Sequence, residues 1–138
     1  MLVKDIMTSK VESIGPDFFL RDVARKMRDL KIGSLPVWKD GELLGMITDR
    51  DICCRAVAEG QDPNKTRVRD VMSKNPAYCF DDQDVADAAH VMEEKHVRRL
   101  AVLNRSKAMV GFLSVDDLAR SSHELAGGVL ETASAAYH

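Results

Sequence analysis

Cysteines, aromatic residues and long apolar runs are all scarce in this sequence of 138 residues. Its three cysteines, two of them adjacent, do not make a disulfide framework and fit the reducing conditions of the cytoplasm. No stretch approaches the roughly 20 apolar residues that span a bilayer. Met1 leads to Lys4-Asp5 without the apolar segment of a signal peptide. We therefore expect a soluble, cytoplasmic protein that does not enter a membrane.

The charge is nearly balanced, with 20 basic and 22 acidic side chains, a formal net charge of -2 and a pI near 6.1. Without a basic field, binding to nucleic acid or to an anionic membrane surface is not expected. The histidines are scattered and lack cysteine or carboxylate partners at ligand spacing. Because a structural zinc ion needs four converging ligands, we predict no metal site.

One pattern occurs twice. Val3-Lys4-Asp5-Ile6-Met7-Thr8 returns 65 residues later as Val68-Arg69-Asp70-Val71-Met72-Ser73. A period of this length predicts two copies of a small supersecondary unit. Each copy, at roughly 60 residues, would be marginally stable alone, so we expect the two to share a core. We also expect them to pack about a pseudo-twofold axis, with functional clefts between them.

Each copy is predicted to fold as strand, helix, strand, turn, strand, helix, so the fold class is α/β with two β-α-β-β-α repeats. Apolar residues three and four apart between Leu20 and Leu30 predict an amphipathic helix, with Asp17 as its N-cap. Asp40-Gly41 predicts a hairpin turn, because such turns require positive backbone angles.

The domain boundaries follow from the connectors. Residues 61–67 are polar and contain a proline, so we place the linker there, with repeat 1 at residues 1–60 and repeat 2 at residues 68–126. Gly127-Gly128 is predicted to end the closing helix. Residues 127–138 then form a C-terminal tail, and composition leaves open whether it is loose or a dimer arm.

Two strand-to-helix corners carry the most chemistry. Thr48 is predicted at a helix N-terminus with Asp51 three residues later, and Ser114 and Asp117 repeat this arrangement in the second copy. Free N–H groups at a helix start favour an anion, and a short acid can accept both hydroxyls of a ribose. The same spacing is also an ordinary capping box. Capping alone and ligand binding therefore both remain open at this stage.

The duplicated pattern resembles the cystathionine beta-synthase (CBS) domain pair, also called a Bateman module, over roughly residues 3 to 125. It is most similar to the small stand-alone bacterial members, including the hypoxic-response group. The matching pieces, in chain order, are Asp5-Ile6-Met7-Thr8, Ile32-Gly33-Ser34-Leu35-Pro36-Val37, Gly45-Met46-Ile47-Thr48-Asp49-Arg50-Asp51-Ile52, Asp70-Val71-Met72-Ser73, Val97-Arg98-Arg99-Leu100-Ala101-Val102 and Gly111-Phe112-Leu113-Ser114-Val115-Asp116-Asp117-Leu118.

The resemblance implies a non-catalytic regulatory module that needs no cofactor and binds AMP, ADP, ATP or S-adenosylmethionine in the clefts between its repeats. It also implies a homodimer that signals in trans to an unidentified client protein. The ribose and phosphate residues of the family map to Thr48, Arg50, Asp51, Ser114, Asp117, Arg98 and Arg99. The adenine slot maps to Lys10, Val11, Ile32, Gly33, Ser34, Pro36, Ala77, Tyr78, Val97 and Ala101.

The two copies differ within these positions. Arg98-Arg99 replaces Gly33-Ser34, and Asp116 stands in the second corner where Arg50 stands in the first. Because an arginine fork suits phosphate oxygens and an acid repels them, we hypothesise that the two clefts are not equivalent. Two alternatives stay open, a ligand-free dimerisation scaffold and a nucleotide-processing enzyme. The enzyme has less support, since no nucleophile, base and orienting group are suggested together, and we predict no catalytic residue.

Overall fold

The chain folds into two compact units that do not coincide with the two sequence repeats. Unit 1 consists of Met1–Val11 and the chain from Ala77 onward, and unit 2 consists of Glu12–Pro76. The opening segment of each repeat is thus part of the unit that the other repeat mainly builds. The computed structural model describes the backbone of residues 1–136 and the side chains of residues 1–132.

Each unit contains a three-stranded sheet with helices, which confirms the α/β class. In chain order the elements are α1 (Val3–Ile6), α2 (Leu20–Leu30), β1 (Ser34–Lys39), β2 (Glu42–Thr48), α3 (Asp49–Asp51) continued by a π-helical turn (Ile52–Val57), α4 (Val68–Val71), β3 (Ser73–Lys74), β4 (Tyr78–Phe80), α5 (Val85–Lys95), β5 (Arg99–Leu103), β6 (Met109–Ser114), α6 (Val115–Ser121) and α7 (His123–Ala136).

In unit 2 the sheet order is β1-β2-β3, and β1 and β2 form the predicted antiparallel hairpin. Asp40 and Gly41 adopt φ angles of 52° and 76°, the positive values that this tight turn requires. Helix α2 buries the predicted apolar face against this sheet, with Leu20, Val23 and Met27 in the core.

The prediction that Asp17 caps α2 is wrong. The residue before the helix is Phe19, whose N–H donates to the Asp22 carboxylate at 3.3 Å. Asp17 instead forms ion pairs with Arg69 and with Lys39, whose ammonium lies 2.9 Å from the carboxylate. Its side chain ties the hairpin to the start of the second repeat.

In unit 1 β5 pairs with β4 in parallel and with β6 antiparallel, and α5 buries its predicted apolar face. The prediction that Gly127-Gly128 ends the closing helix is wrong. The chain turns earlier, at the extended residue Ser122, and α7 then runs through both glycines. Gly128 passes close to the end of the Glu93 side chain of α5, which would have to shift to make room for a Cβ. Residues 137 and 138 lie outside the described part of the chain.

Two short stretches, which we call the crossing segments, each pair with the second strand of a hairpin, β2 or β6, at or next to a glycine. In unit 2 the crossing segment is Met72–Lys74, and it pairs antiparallel with Gly45 and Met46. In unit 1 it is Met7–Thr8, which exchanges two backbone hydrogen bonds of 2.8 Å with Phe112.

The glycines beneath the crossing segments are required by this close approach. A Cβ on Gly45 would lie closer than 3.0 Å to the Ser73 carbonyl oxygen, and one on Gly111 would lie 2.7 Å from that of Thr8. The repeated glycine of the sequence therefore marks where the second strand of each hairpin is approached closely by the backbone that pairs with it.

Among the described residues, no helix combines the length and the apolar character needed to cross a membrane.

Candidate functional site

The first corner, in unit 2, lies where β2 ends at Thr48 and α3 begins. Thr48 Oγ1 accepts a hydrogen bond from the Asp51 N–H at 3.0 Å, and Asp51 Oδ2 accepts one from the Thr48 N–H at 3.0 Å. The Asp49 N–H donates to the Gly33 carbonyl at 2.9 Å, which joins the helix start to the approach to β1. The corner is a complete reciprocal capping box.

The second corner, in unit 1, repeats this geometry. Ser114 Oγ accepts from the Asp117 N–H at 3.2 Å, and Asp117 Oδ2 accepts from the Ser114 N–H at 2.9 Å. The Val115 N–H donates to the Arg98 carbonyl at 2.9 Å, matching the bond between Asp49 and Gly33. The duplication has thus conserved both the caps and the backbone frame around them.

Capping uses only one carboxylate oxygen of each acid, and the surroundings of the other oxygen differ. Asp51 Oδ1 faces Arg55 Nε at 3.8 Å, and the Asp51 side chain is 12% exposed. Asp117 Oδ1 accepts from Thr8 Oγ1 at 3.5 Å and faces Arg120 Nη1 at 3.6 Å, and its side chain is 3% exposed. Each carboxylate therefore keeps an acceptor oxygen for hydroxyl donors, but the second acid is more enclosed.

The helix start of the first corner is a poorer anion site than the sequence suggests. Asp49 Oδ1 already accepts the Arg50 N–H at 2.9 Å, and Asp51 adds a second carboxylate to the same turn. The second corner also carries two acids, Asp116 and Asp117. A phosphate at either corner needs side-chain cations to offset this charge.

The arginines that the sequence analysis assigned to phosphate binding lie close to the corners in sequence. Arg50 is exposed and lies within the first corner, in α3. Arg98 and Arg99 are exposed, and Arg99 pairs with Ser114 at the open end of the β5–β6 hairpin. The second corner thus has one arginine at the start of its neighbouring strand and another just before it, whereas the first has one inside its helix start.

Gly33 and Arg98 occupy equivalent places with different surroundings. A Cβ on Gly33 would lie 2.8 Å from Asp49 Oδ2, so a side chain there requires that exposed carboxylate to shift. In the second corner Val115 stands in place of Asp49, and no such carboxylate is present at that position. How easily a side chain is accommodated at this position therefore depends on the first residue of the following helix.

The predicted adenine slots lie at the starts of β1 and β5, on the side of each strand where Ile14 and β4, respectively, pair with it. In unit 2 Ile14 makes a single parallel bridge to β1, in which its N–H donates to the Pro36 carbonyl at 3.0 Å and its carbonyl accepts from the Trp38 N–H at 2.9 Å. In unit 1, where Ala101 replaces the proline, β4 forms a parallel ladder of three residues. Because proline has no N–H for a ladder, the shorter pairing in unit 2 is expected.

The strand register changes one assignment. Ile14 pairs with Val37 as Cys79 pairs with Val102, so Glu12 and Ser13 are the structural counterparts of Ala77 and Tyr78. Lys10 and Val11, which the sequence assigned to the first slot, precede that position by two residues and belong to unit 1.

The other predicted site residues form two sets, and each set lies within one unit. Unit 2 contains the first set, Ile32, Gly33, Ser34, Pro36, Thr48, Arg50 and Asp51. Unit 1 contains the second set, Ala77, Tyr78, Val97, Arg98, Arg99, Ala101, Ser114 and Asp117.

Three contacts to the corner acids were missed by sequence reasoning. Arg55 and Arg120 follow their acids by four and three residues, a helical spacing that could have revealed both. Thr8 reaches Asp117 across 109 residues of chain, and no local pattern signals such a contact.

Chemically active groups beside the slots are few. Burial, with a further contribution from Asp81, raises the pKa of the Cys79 thiol to about 12, so this cysteine on β4 is a poor nucleophile. Within the described residues, no three His, Cys, Asp or Glu side chains are grouped so that they could hold a metal ion. The arrangement offers hydrogen-bond acceptors and apolar strand edges, which suit binding.

The sequence matches the family model "CBS domain" twice, at residues 3–56 and 68–124. It is 35% identical over 130 residues to the CBS domain-containing protein YhcV of Bacillus subtilis, covering 93% of this chain and 91% of that protein.

Two solved structures share the fold. Hypoxic Response Protein I, crystallised with two coordinated zinc ions, superposes with a TM-score of 0.80 and 33% identity, over 88% of this chain and 99% of that one. The CBS domain pair of protein MJ0100, in complex with 5′-methylthioadenosine and S-adenosyl-L-methionine, gives a TM-score of 0.77 and 25% identity, over 88% and 94%. With the fold, both corners and both sequence matches in agreement, this chain belongs to the CBS domain family and carries two CBS domains.

Proposed function

We propose that this protein is a non-catalytic regulatory module that binds adenosine-containing ligands at the corners of its CBS domains and signals in trans to a partner protein. The observation that carries the proposal is that the two oxygens of each corner carboxylate have different surroundings. One carboxylate oxygen caps the helix, while Oδ1 of Asp51 and of Asp117 is held only at 3.5 Å or more by side chains. A pre-oriented carboxylate of this kind suits the two vicinal hydroxyls of a ribose.

The base has a defined place in this proposal. Adenine would lie against the start of β1 or β5, where Ile32–Pro36 in unit 2 and Val97–Ala101 in unit 1 supply backbone polar groups and apolar side chains. Glu12 and Ser13 border the first slot, and Ala77 with Tyr78 borders the second. The adenosine compounds bound by the CBS domain pair of MJ0100 support a ligand of this class.

The charge at the corners bears on the choice among adenosine compounds. Asp49 and Asp51 disfavour a phosphate at the first helix start, whereas Arg98 and Arg99 favour one near the second. We propose that the first corner prefers an adenosine compound without phosphate, such as S-adenosylmethionine, and that the second accepts AMP, ADP or ATP. Ligand binding would act by linkage, shifting the population of the conformation that a partner recognises.

Thermal melting of the purified protein tests this function. A ligand at 100 times its dissociation constant stabilises the folded state by about 2.7 kcal/mol, which raises the melting temperature on the order of 10 °C for a chain of this size. The panel contains AMP, ADP, ATP, S-adenosylmethionine and 5′-methylthioadenosine, with 2′-deoxy-AMP as the matched control for the ribose contact. We expect a clear shift with at least one compound and a smaller one with the deoxy analogue.

Asp51→Asn and Asp117→Asn separate the two corners. Asparagine keeps an oxygen that can cap the helix, so the fold is retained while the charged acceptor for the ribose is lost. Each variant should therefore lose part of the ligand-induced shift.

The second candidate function is a ligand-free dimerisation scaffold, which the completeness of both capping boxes favours. If no compound raises the melting temperature and both variants behave like the wild type, the scaffold replaces the sensor. In either case we propose that two chains associate. Sedimentation analysis checks this, and a monomer at all concentrations contradicts it.

A further inference from the structure

One side chain of unit 2 contacts both the corner acid and the end of the short helix α4. Arg55 lies in the π-helical turn, and its Nε is 3.8 Å from Asp51 Oδ1. Its Nη1 donates to the carbonyl of Val71 at 3.1 Å and to that of Met72 at 3.3 Å. The guanidinium is thus shared between a predicted ligand-binding carboxylate and the start of the crossing segment Met72–Lys74.

Besides Arg55, the crossing segment is held by its short pairing with β2 and by Met72, which packs against the core of unit 2. Helix α4 is a single turn, so its last carbonyls have no partner within the helix and depend on an external donor. An arginine at a helix C-terminus supplies such a donor with a favourable charge. Beyond α4, strand β3 has only two residues paired to β2. The position of Met72–Lys74 is therefore sensitive to where the Arg55 guanidinium lies.

Arg55 has room to change its position. Its side chain is 53% exposed, and it lines a polar surface cleft of about 350 Å³ together with Asp70 and Val71. The guanidinium can therefore move relative to Asp51 without displacing core residues.

Unit 1 ties its corner acid to its crossing segment in a different way. The residue equivalent to Arg55 is Ser121, and the cation at that corner is Arg120, 3.6 Å from Asp117 Oδ1. There the crossing segment itself reaches the acid, because Thr8 Oγ1 donates to Asp117 Oδ1 at 3.5 Å. Both units therefore link the acid to the crossing segment, by a guanidinium in unit 2 and by a hydroxyl in unit 1.

We infer that Arg55 is a positioning residue that couples occupancy of Asp51 to the crossing segment Met72–Lys74; this inference rests on the proposed ligand function. Ribose hydroxyls that donate to Asp51 Oδ1 compete with Arg55 for that oxygen. The guanidinium is then left with the carbonyls of Val71 and Met72 and holds the segment more firmly.

Hydrogen exchange measured by mass spectrometry on the whole protein tests the coupling, with AMP, S-adenosylmethionine and 5′-methylthioadenosine as probes. A charge-assisted hydrogen bond is strong enough that ligand should slow exchange in the peptide covering residues 68–76 about tenfold. Arg55→Met should abolish this slowing, and Arg55→Lys should restore part of it. Arg120→Met is the matched control, and it should leave residues 68–76 as in the wild type.

The outcomes separate the coupling from the proposed function. A probe whose melting shift is reduced in Asp51→Asn, but which leaves exchange in residues 68–76 unchanged, overturns the coupling alone, as does slowing that persists in Arg55→Met. The absence of a melting shift with every probe overturns the ligand function and the coupling together. The free protein gives an independent reading, since Arg55→Met should speed exchange in residues 68–76 more than Arg120→Met does. Equal rates in the two free variants contradict the contact on which the inference depends.

Discussion

Replacing Gly45 with alanine should destabilise unit 2, because the crossing segment leaves no space for a methyl group. The atom that the new Cβ would meet is the backbone carbonyl oxygen of Ser73, with Met72 Sδ also only 3.1 Å away. A backbone atom cannot step aside as a flexible side chain can, so β3 must shift and its pairing with β2 must weaken. Overpacking of this kind costs about 1–3 kcal/mol, and each weakened hydrogen bond adds about 1 kcal/mol.

A partial offset comes from the unfolded chain, in which alanine has less conformational freedom than glycine by about 0.4–1 kcal/mol. We therefore expect a net loss of about 2 kcal/mol, or a fall of roughly 8 °C in the melting temperature. Gly127→Ala is the matched control, because a Cβ there meets no atom within 4 Å and the residue lies inside α7. That variant should gain up to about 1 kcal/mol from helix propensity.

Denaturant unfolding of both variants, followed by circular dichroism, gives the comparison. If Gly45→Ala is as stable as Gly127→Ala, the crossing segment does not pass over Gly45 as described, and the coupling inferred for Arg55 loses its structural basis.

Two further predictions concern thiols and pH. Cys53 and Cys54 are exposed, whereas Cys79 is buried and its pKa is raised to about 12, so a thiol reagent at pH 8 should modify two cysteines at once and the third only in denaturant. Equal reactivity of all three would contradict the position of β4. The hydrogen bond from Lys39, together with the charge of Arg69, holds the pKa of Asp17 below its ordinary value of 3.8. The stability that this carboxylate contributes is complete above pH 3.8 and is lost as the pH falls through its folded-state value. Asp17→Asn should therefore lower the melting temperature at pH 7, and the melting temperature of the variant should fall less steeply on acidification. An unchanged pH profile would show that these ion pairs do not contribute to stability.

Local patterns predicted much of the fold. Apolar spacing located the buried faces of α2 and α5, and Asp40-Gly41 located the β1–β2 hairpin, because both signals arise from contacts between residues near in sequence. The capping pairs Thr48/Asp51 and Ser114/Asp117 form for the same reason.

What sequence reasoning missed depends on contacts between distant residues. The division into units reflects the placement of α1 and α4 on sheets built by the other repeat, and only the two crossing glycines hinted at it. Gly127-Gly128 was taken as a helix end, although α7 runs through both glycines, packed beside α5. The residues assigned to the first adenine slot, Lys10 and Val11, precede the structural counterparts of Ala77 and Tyr78 by two residues, because the register of Ile14 against β1 cannot be read from local periodicity.

The central claim is that Asp51 and Asp117 bind the ribose of adenosine compounds at two corners that are not equivalent. Calorimetric titration of the wild type, Asp51→Asn and Asp117→Asn with S-adenosylmethionine and with AMP tests it most directly. We predict binding by the wild type with unequal affinities at the two corners, loss of S-adenosylmethionine binding in Asp51→Asn and loss of AMP binding in Asp117→Asn. Two equal sites per chain would contradict the asymmetry. Affinities that neither variant changes would contradict the role of the corner acids.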